Sequence, residues 1–350
     1  MGAGRHLREA AMTGAGNGKS LQKNGGLKTG LRVADHFDPT ADAVLSLGDT
    51  RDFLASLPPA FARLVVTSPP YNIGKPYEQR LQLSEYVNQQ SEVIRECVRV
   101  LAGDGSLCWQ VGNYVDGSEI APLDTILYPI FTSLGLKLRN RIVWHFEHGL
   151  HCSKRFSGRY ETIMWFTKSD DYVFNLDAVR VPQKYPNKKY FKGPKAGQYS
   201  CNPLGKNPGD VWEIPNVKHN HVEKTTHPCQ FPVELIERLV LAMTKPGDWV
   251  IDPFMGVGTT AVAALIHNRK AAGAEIVREY LEGAKRRIRK AERGELKIRP
   301  MDRPVYDPSA PYRSRPLTVN LNEQLLFDAT GAYVSKSRGS RAKLKAYANR

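Results

Sequence analysis

The chain has 350 residues, 41% of them hydrophobic, with 50 Lys and Arg against 35 Asp and Glu and a net charge of +15. That length supports a core of ordinary size plus one accessory region, and the charge points to a polyanionic partner, nucleic acid rather than membrane. No apolar run approaches a membrane span and no apolar leader is visible. The five scattered cysteines, an odd number, argue against a disulfide framework and for a reducing, cytoplasmic setting.

Residues 1–40 are rich in Gly, Lys and polar residues and read as a disordered tail. Structure is expected from Ala43-Val44-Leu45-Ser46-Leu47, a strand ending at Gly48-Asp49. A helix carrying Phe53, Leu54 and Leu57 then stops at Pro58-Pro59. The apolar run Phe61–Val66 reads as a buried strand. It breaks at Thr67-Ser68-Pro69-Pro70-Tyr71-Asn72, because two consecutive prolines neither continue a sheet ladder nor enter a helix interior. A long helix follows from Leu83 to Leu101, with Tyr86, Val87, Val93, Ile94, Cys97, Val98 and Leu101 largely on one face, closed by Gly103-Asp104-Gly105. Ser106–Val111 is a strand, Ile120–Leu134 a helix, and Asn140–Phe146 and Thr162–Phe166 two further strands. Alternating strand and helix is the rhythm of a parallel α/β sheet.

The character changes from Ala178 to Gly209. This stretch carries Arg180, Lys184, Lys188, Lys189, Lys192, Lys195 and Lys206, no acidic residue, and interleaved Tyr185, Tyr190, Phe191 and Tyr199. Cations mixed with rings in an irregular segment suit phosphate neutralisation and base contact. The α/β pattern then resumes with a helix from Pro232 to Thr244, a strand Trp249–Ile251, and the turn Asp252-Pro253-Phe254-Met255-Gly256-Val257-Gly258-Thr259-Thr260 opening a helix to Ile266. The strand Lys270–Ile276 carries Glu275 at its end, and residues 281–293 form a basic helix. Residues 281–350 hold 17 Lys and Arg against 7 Asp and Glu, so the C-terminal extension is basic.

Two stretches carry chemistry. Ser68, Pro69, Pro70 and Tyr71 form an extended turn with a hydroxyl before it and a ring after it. A flat heterocycle with an exocyclic amino group fits there: Tyr71 stacks on it, and Ser68 with the Pro69 carbonyl accepts from the amino protons. This is a reading site for a base flipped out of a duplex. In the second stretch, Gly256 and Gly258 admit a ligand close to the backbone, and Thr259 and Thr260 offer hydroxyls at a helix start. Glu275, at the end of the next strand, reaches the hydroxyls of a ribose. No lysine follows Gly258, which excludes a Walker loop, and the dinucleotide fingerprint lacks its third glycine. Asp252 repels a pyrophosphate and welcomes an ammonium, so S-adenosylmethionine is the fitting ligand.

Together these stretches resemble the β group of amino-methylating DNA methyltransferases, in which the catalytic motif (Thr67-Ser68-Pro69-Pro70-Tyr71) precedes the cofactor motif (Asp252 to Thr260). Gly48-Asp49, Arg159-Tyr160-Glu161 before Ile163–Phe166, and His227-Pro228-Cys229-Gln230-Phe231-Pro232 resemble further motifs of the family, Gln230 lying in the one beside the cofactor. Gly256-Val257-Gly258 departs from the family's usual Gly-Ser-Gly by one hydroxyl. The resemblance implies an α/β class I S-adenosylmethionine-dependent methyltransferase, Rossmann-like, with a mostly parallel seven-stranded sheet. It is circularly permuted, with an inserted target-recognition region. Residues 41–285 form the methyltransferase domain, divided into a catalytic half (41–174), the target-recognition region (175–225) and a cofactor half (226–285), with 286–350 as the basic extension. Double-stranded DNA is the implied substrate, contacted by Lys184, Lys188, Lys189, Lys192 and Lys195. Ser68, where adenine-directed members usually carry Asp or Asn, favours the cytosine 4-amino group over the adenine 6-amino group. A companion restriction endonuclease and a monomer or homodimer are both compatible.

Rival readings are weaker. Pro228-Cys229-Gln230 resembles the thiolate motif of cytosine 5-position enzymes, but it precedes the cofactor loop instead of following it. Cys229 therefore reads as a packed or idle thiol. His145, His148, His151 and Cys152 are spaced like metal ligands, yet direct transfer needs no metal. A catalytically inactive DNA-binding module is the alternative of a different class.

Overall fold

A computed structural model of the chain describes residues 27–301, except 28, 76, 117–118, 148 and 150. The first 26 residues of the expected tail, residues 302–350 of the basic extension and His148 lie outside the described residues. In chain order the elements are β1 (Val33–Ala34), β2 (Ala43–Leu47), α1 (Thr50–Ala55), β3 (Ala62–Thr67), α2 (Leu83–Val100), β4 (Leu101–Val111), β5 (Asn113–Asp116) and β6 (Glu119–Pro122). They continue with α3 (Leu123–Ser133), β7 (Lys137–His145), β8 (Tyr160–Thr167), β9 (Val211–Glu213), α4 (Val233–Met243), β10 (Trp249–Asp252), α5 (Thr259–Leu265), β11 (Lys270–Glu275) and α6 (Arg278–Glu292).

Among the described residues nine strands form the main sheet, in the order β1-β2-β11-β10-β3-β4-β8-β7-β9. Among them β8 alone runs against its neighbours, pairing antiparallel with both β4 and β7. Period-two alternation sends successive side chains to opposite faces. Leu64 and Val66 pack with the helices α4, α5 and α6, while Val65 packs on the other face with α1, α2 and α3. Both faces are therefore covered, which is why the central strands read as continuous apolar runs.

The expected mostly parallel α/β sheet is present, with differences at its margins. The seven strands expected become nine because β1 and β9, two and three residues long, add to the two edges. Residues 29–40, placed in the tail on composition, carry β1. Their Phe37 ring lies 5.2 Å from Phe61 and 5.6 Å from Trp249, and the N–H groups of Gly30 and Leu31 donate to Glu292. The helix expected from Ile120 starts at Leu123, because Pro122 has no N–H to give to a helix interior and Glu119–Pro122 pair with Asn113–Asp116 in a hairpin. The strand expected from Ser106 reaches back to Leu101 across an irregularity in its pairing with β3.

The chain leaves β10 toward β11 on one side and β3 toward β4 on the other, so β10 and β3 form the switch point of the sheet. A crevice opens beyond their C-terminal ends. Thr67 ends β3 and Asp252 ends β10. The Thr67 hydroxyl donates to Asp252 Oδ1 at 2.6 Å, across 185 positions of sequence. Replacing Thr67 by Val keeps the shape and deprives a buried carboxylate of a donor. We expect a loss of about 1–3 kcal/mol of stability by chemical denaturation; an unchanged midpoint would contradict this role.

Candidate active site

Asp252 is 1% exposed and accepts three hydrogen bonds, from Thr67 Oγ1 and Thr260 Oγ1, both at 2.6 Å, and from the Phe254 N–H at 3.1 Å. Burial outweighs these donors and pushes its carboxyl up to about 6. It remains mostly ionised at neutral pH. The turn that follows it needs its glycines for different reasons. Gly258 (φ 71°) packs against α6, where a Cβ would meet the Ala284 methyl at 2.7 Å. Gly256 (φ 53°) faces His227, and its N–H donates to Glu275 Oε2 at 2.9 Å. Glu275 also accepts from the Val277 N–H at 2.7 Å, and burial raises its carboxyl.

One cleft of about 340 Å³ joins the two expected sites. Ser68, Pro69, Pro70 and Tyr71 line it from the end of β3. Pro253, Phe254, Gly256, Thr259, Glu275 and Gln230 line it from the other half. Asp252, Gly258 and Thr260 stand behind this wall. Thr67, Thr260 and the Phe254 amide all donate to the Asp252 oxygens, which ties the end of β10 to β3 and α5. The Thr259 hydroxyl accepts from buried Arg287 at 2.8 Å, and Gln230 is held by Thr225 and the Glu223 carbonyl.

The proline turn is fixed from both ends. Pro70 O accepts from the Tyr86 hydroxyl at 2.9 Å. Asn72 takes a left-handed φ of 60°, and the Glu78 carboxylate accepts from the N–H groups of Asn72, Ile73 and Lys75. The Tyr71 hydroxyl lies 2.9 Å from Ser68 Oγ, 2.7 Å from Gln110 Oε1 and 3.2 Å from Glu161 Oε2, and Gln110 Nε2 donates to the same Glu161 oxygen. Burial and the nearby Glu161 push the phenol up, and burial raises the Glu161 carboxyl against its hydrogen bonds and the charge of Lys218.

Gln110 and Glu161 were not among the expected site residues. Gln110 is a polar break at the end of the apolar run Leu107-Cys108-Trp109, a signal that sequence could have offered. Glu161 is brought beside it by the antiparallel register Val111↔Thr162. Sequence reasoning also missed an aromatic wall. Tyr77 stacks on His227 (5.4 Å, 16°), and Tyr280 meets His227 edge-on (4.6 Å, 68°). Burial holds His227 down to about 4, so its ring is neutral at pH 7.

The five expected DNA-contacting lysines, Lys184, Lys188, Lys189, Lys192 and Lys195, are exposed and lie away from the cleft lining. Phe191 is 89% exposed, and Lys184, Lys189 and Lys192 sit over the rings of Tyr185, Tyr199 and Phe191. Leaving Phe191 in water forgoes about 1.5–3 kcal/mol of burial. Among the described residues no helix is long and apolar enough to cross a membrane.

The N6/N4 methyltransferase family, described as DNA methylase, matches residues 62–286. The type II methyltransferase M.BglII of Bacillus subtilis is 56% identical over 236 residues, 67% of this chain and 66% of that protein. The solved structure of the cytosine-N4-specific PvuII DNA methyltransferase has a like fold, with a TM-score of 0.58 at 21% identity, covering 77% of this chain and 96% of that one. A putative DNA modification methylase from Thermus thermophilus, solved with S-adenosyl-L-methionine, matches with a TM-score of 0.52 at 28% identity, covering 71% and 94%. The family match takes in both halves of the cleft and the greater part of the sequence, and the protein is a member of the N6/N4 DNA methylase family.

Proposed function

We propose that the protein is a site-specific DNA methyltransferase that uses S-adenosylmethionine to methylate the exocyclic amino group of a base flipped from duplex DNA, the 4-amino group of cytosine. The observation that carries this reading is the single cleft in which the proline turn after β3 faces the glycine turn after β10. The cleft suits an adenosine-bearing ligand. Gln90 Oε1 and Thr50 Oγ1, both buried in its lining, have no protein partner among the described residues and are ready to bond one. Glu275 has oxygens at the cleft for ribose hydroxyls, and Phe254 offers an apolar surface. When bound, S-adenosylmethionine supplies an electrophilic methyl group.

The chain's own residues do the rest. Tyr71, with its hydroxyl held by three neighbours, presents a fixed ring for a base to stack on. Ser68 and the Pro69 carbonyl hold the amino group by its hydrogens and leave the nitrogen lone pair free. Positioning supplies most of the rate, and these acceptor dipoles stabilise the positive charge that develops on nitrogen. Ser68, in place of the Asp or Asn usual in adenine-directed members, carries the choice of cytosine. The exposed cations and rings of residues 184–199 serve as the DNA-contacting arm. The same activity serves with or without a companion endonuclease.

Transfer of labelled methyl from S-adenosylmethionine to duplex DNA tests the reading; no transfer by protein that binds the cofactor would favour a DNA-binding module instead. Tyr71→Ala should lower kcat by about 10- to 100-fold through lost stacking, with cofactor affinity nearly unchanged; unaltered turnover would remove Tyr71 from the site. Glu275→Ala should weaken S-adenosylmethionine binding by about 10- to 100-fold in calorimetry, and an unaltered Kd would refute the ribose contact. Replacing Lys188, Lys189 and Lys192 by Ala should flatten the dependence of log affinity on log salt by roughly one unit for each phosphate no longer neutralised. A slope equal to the wild type's would show that the arm does not touch the backbone.

A further inference from the structure

The hydrogen bonds behind Tyr71 have a direction. Glu161 ends them, and its Oε2, facing both Gln110 Nε2 and the Tyr71 hydroxyl, is the acceptor. It takes a hydrogen from Gln110 Nε2. With its nitrogen so committed, Gln110 turns its oxygen, an acceptor, toward the Tyr71 hydroxyl at 2.7 Å. The Glu161 carboxylate oxygen lies 3.2 Å from that hydroxyl as well. Both groups beyond Tyr71 are thus acceptors, and a phenol has one hydrogen to give. That hydrogen goes to them, so the phenol oxygen accepts from Ser68 Oγ at 2.9 Å. The single hydroxyl hydrogen of Ser68 is spent on Tyr71, and its remaining lone pairs are left for the cleft that Ser68 lines.

We propose that Glu161 is a positioning residue that acts through Gln110 and Tyr71 to fix Ser68 as a hydrogen-bond acceptor toward the amino group to be methylated. This rests on the base-methylation reading above. The polarity matters because the attacking nitrogen must keep its lone pair. A Ser68 hydroxyl turned to donate would occupy that lone pair, whereas one that accepts takes only an amino hydrogen. The ring is also held against the sheet, since a Cβ on Gly112 would lie 3.2 Å from Tyr71 Cε2, so the phenol has little freedom to leave the chain of bonds.

The test is Glu161→Gln, which keeps the shape and gives position 161 a donor as well as an acceptor, freeing Gln110 and Tyr71 to reverse. On duplex DNA, kcat should fall on the order of 10- to 100-fold, while KM for DNA and Kd for S-adenosylmethionine stay within about twofold. In a Ser68→Ala background the same substitution should cost less than about threefold, because no hydroxyl remains to orient. A kcat within about twofold of wild type, or an equal loss in both backgrounds, would overturn the proposal. Should Glu161→Gln fail to fold, Glu161→Met removes both contacts of the carboxylate, to Gln110 Nε2 and to the Tyr71 hydroxyl, and is held to the same outcomes. Wild-type protein that methylates no base removes the underlying reading and this inference with it. Active wild type beside an equally active Glu161→Gln removes the inference alone.

Discussion

The hydrogen bond from Thr67 to Asp252 joins the two halves of the chain at the one place where both must be exact. A parallel sheet brings the C-terminal ends of its strands to a common edge, and only at a switch point does the chain leave in both directions and open a crevice. Here that point lies between β10 and β3, paired in the register Val250↔Leu64 and Ile251↔Val65. A one-residue slip would turn every side chain of a strand to the other face. It would also strand the Asp252 carboxylate, which is 1% exposed and too costly to bury without donors. The bond therefore fixes register, and register sets the proline turn opposite the glycine turn.

From that constraint the site builds outward in layers. Asp252, Thr67 and Thr260 form a polar knot behind the cleft and leave its wall to Pro253, Phe254 and Gly256. Tyr71 is held in turn by Gln110 and Glu161 from β4 and β8, and its hydroxyl lies 2.9 Å from Ser68 Oγ. Precision is thus supplied by sheet strands, while the exposed cations and rings of residues 184–199 lie on an irregular segment. The division suits chemistry that tolerates little movement and a partner whose long backbone tolerates much.

The central strands were legible because burial on both faces makes them continuous apolar runs, and the turn after β3 because Pro69-Pro70 ends a strand whatever the context. β1 and β9 were not, since two or three residues carry no measurable period. The hairpin before α3 was hidden for a similar reason: Ile120 is apolar enough to pass for the first turn of the helix. Asp252 was found in sequence, but the hydrogen bond that Thr67 donates to it was not. A carboxylate at the end of a strand reads as a ligand contact, and its partner Thr67 lies 185 residues away, beyond the reach of any local pattern. Glu161 was visible only as part of a motif. Its connection to Tyr71 depends on β8 pairing antiparallel to β4, a fact of topology. What local periodicity and backbone chemistry dictate was readable; what depends on which strands become neighbours was not.

The most direct measurement is the chemical identity of the product. Unmethylated duplex DNA of diverse sequence is incubated with the protein and S-adenosylmethionine, digested to nucleosides and examined by mass spectrometry. Deoxycytidine carrying a methyl group on its 4-amino nitrogen is the predicted result. Deoxyadenosine methylated on its 6-amino group would keep the chemistry and overturn the reading of Ser68. The absence of any methylated base, from protein that binds the cofactor, would contradict amino-group methylation at this cleft.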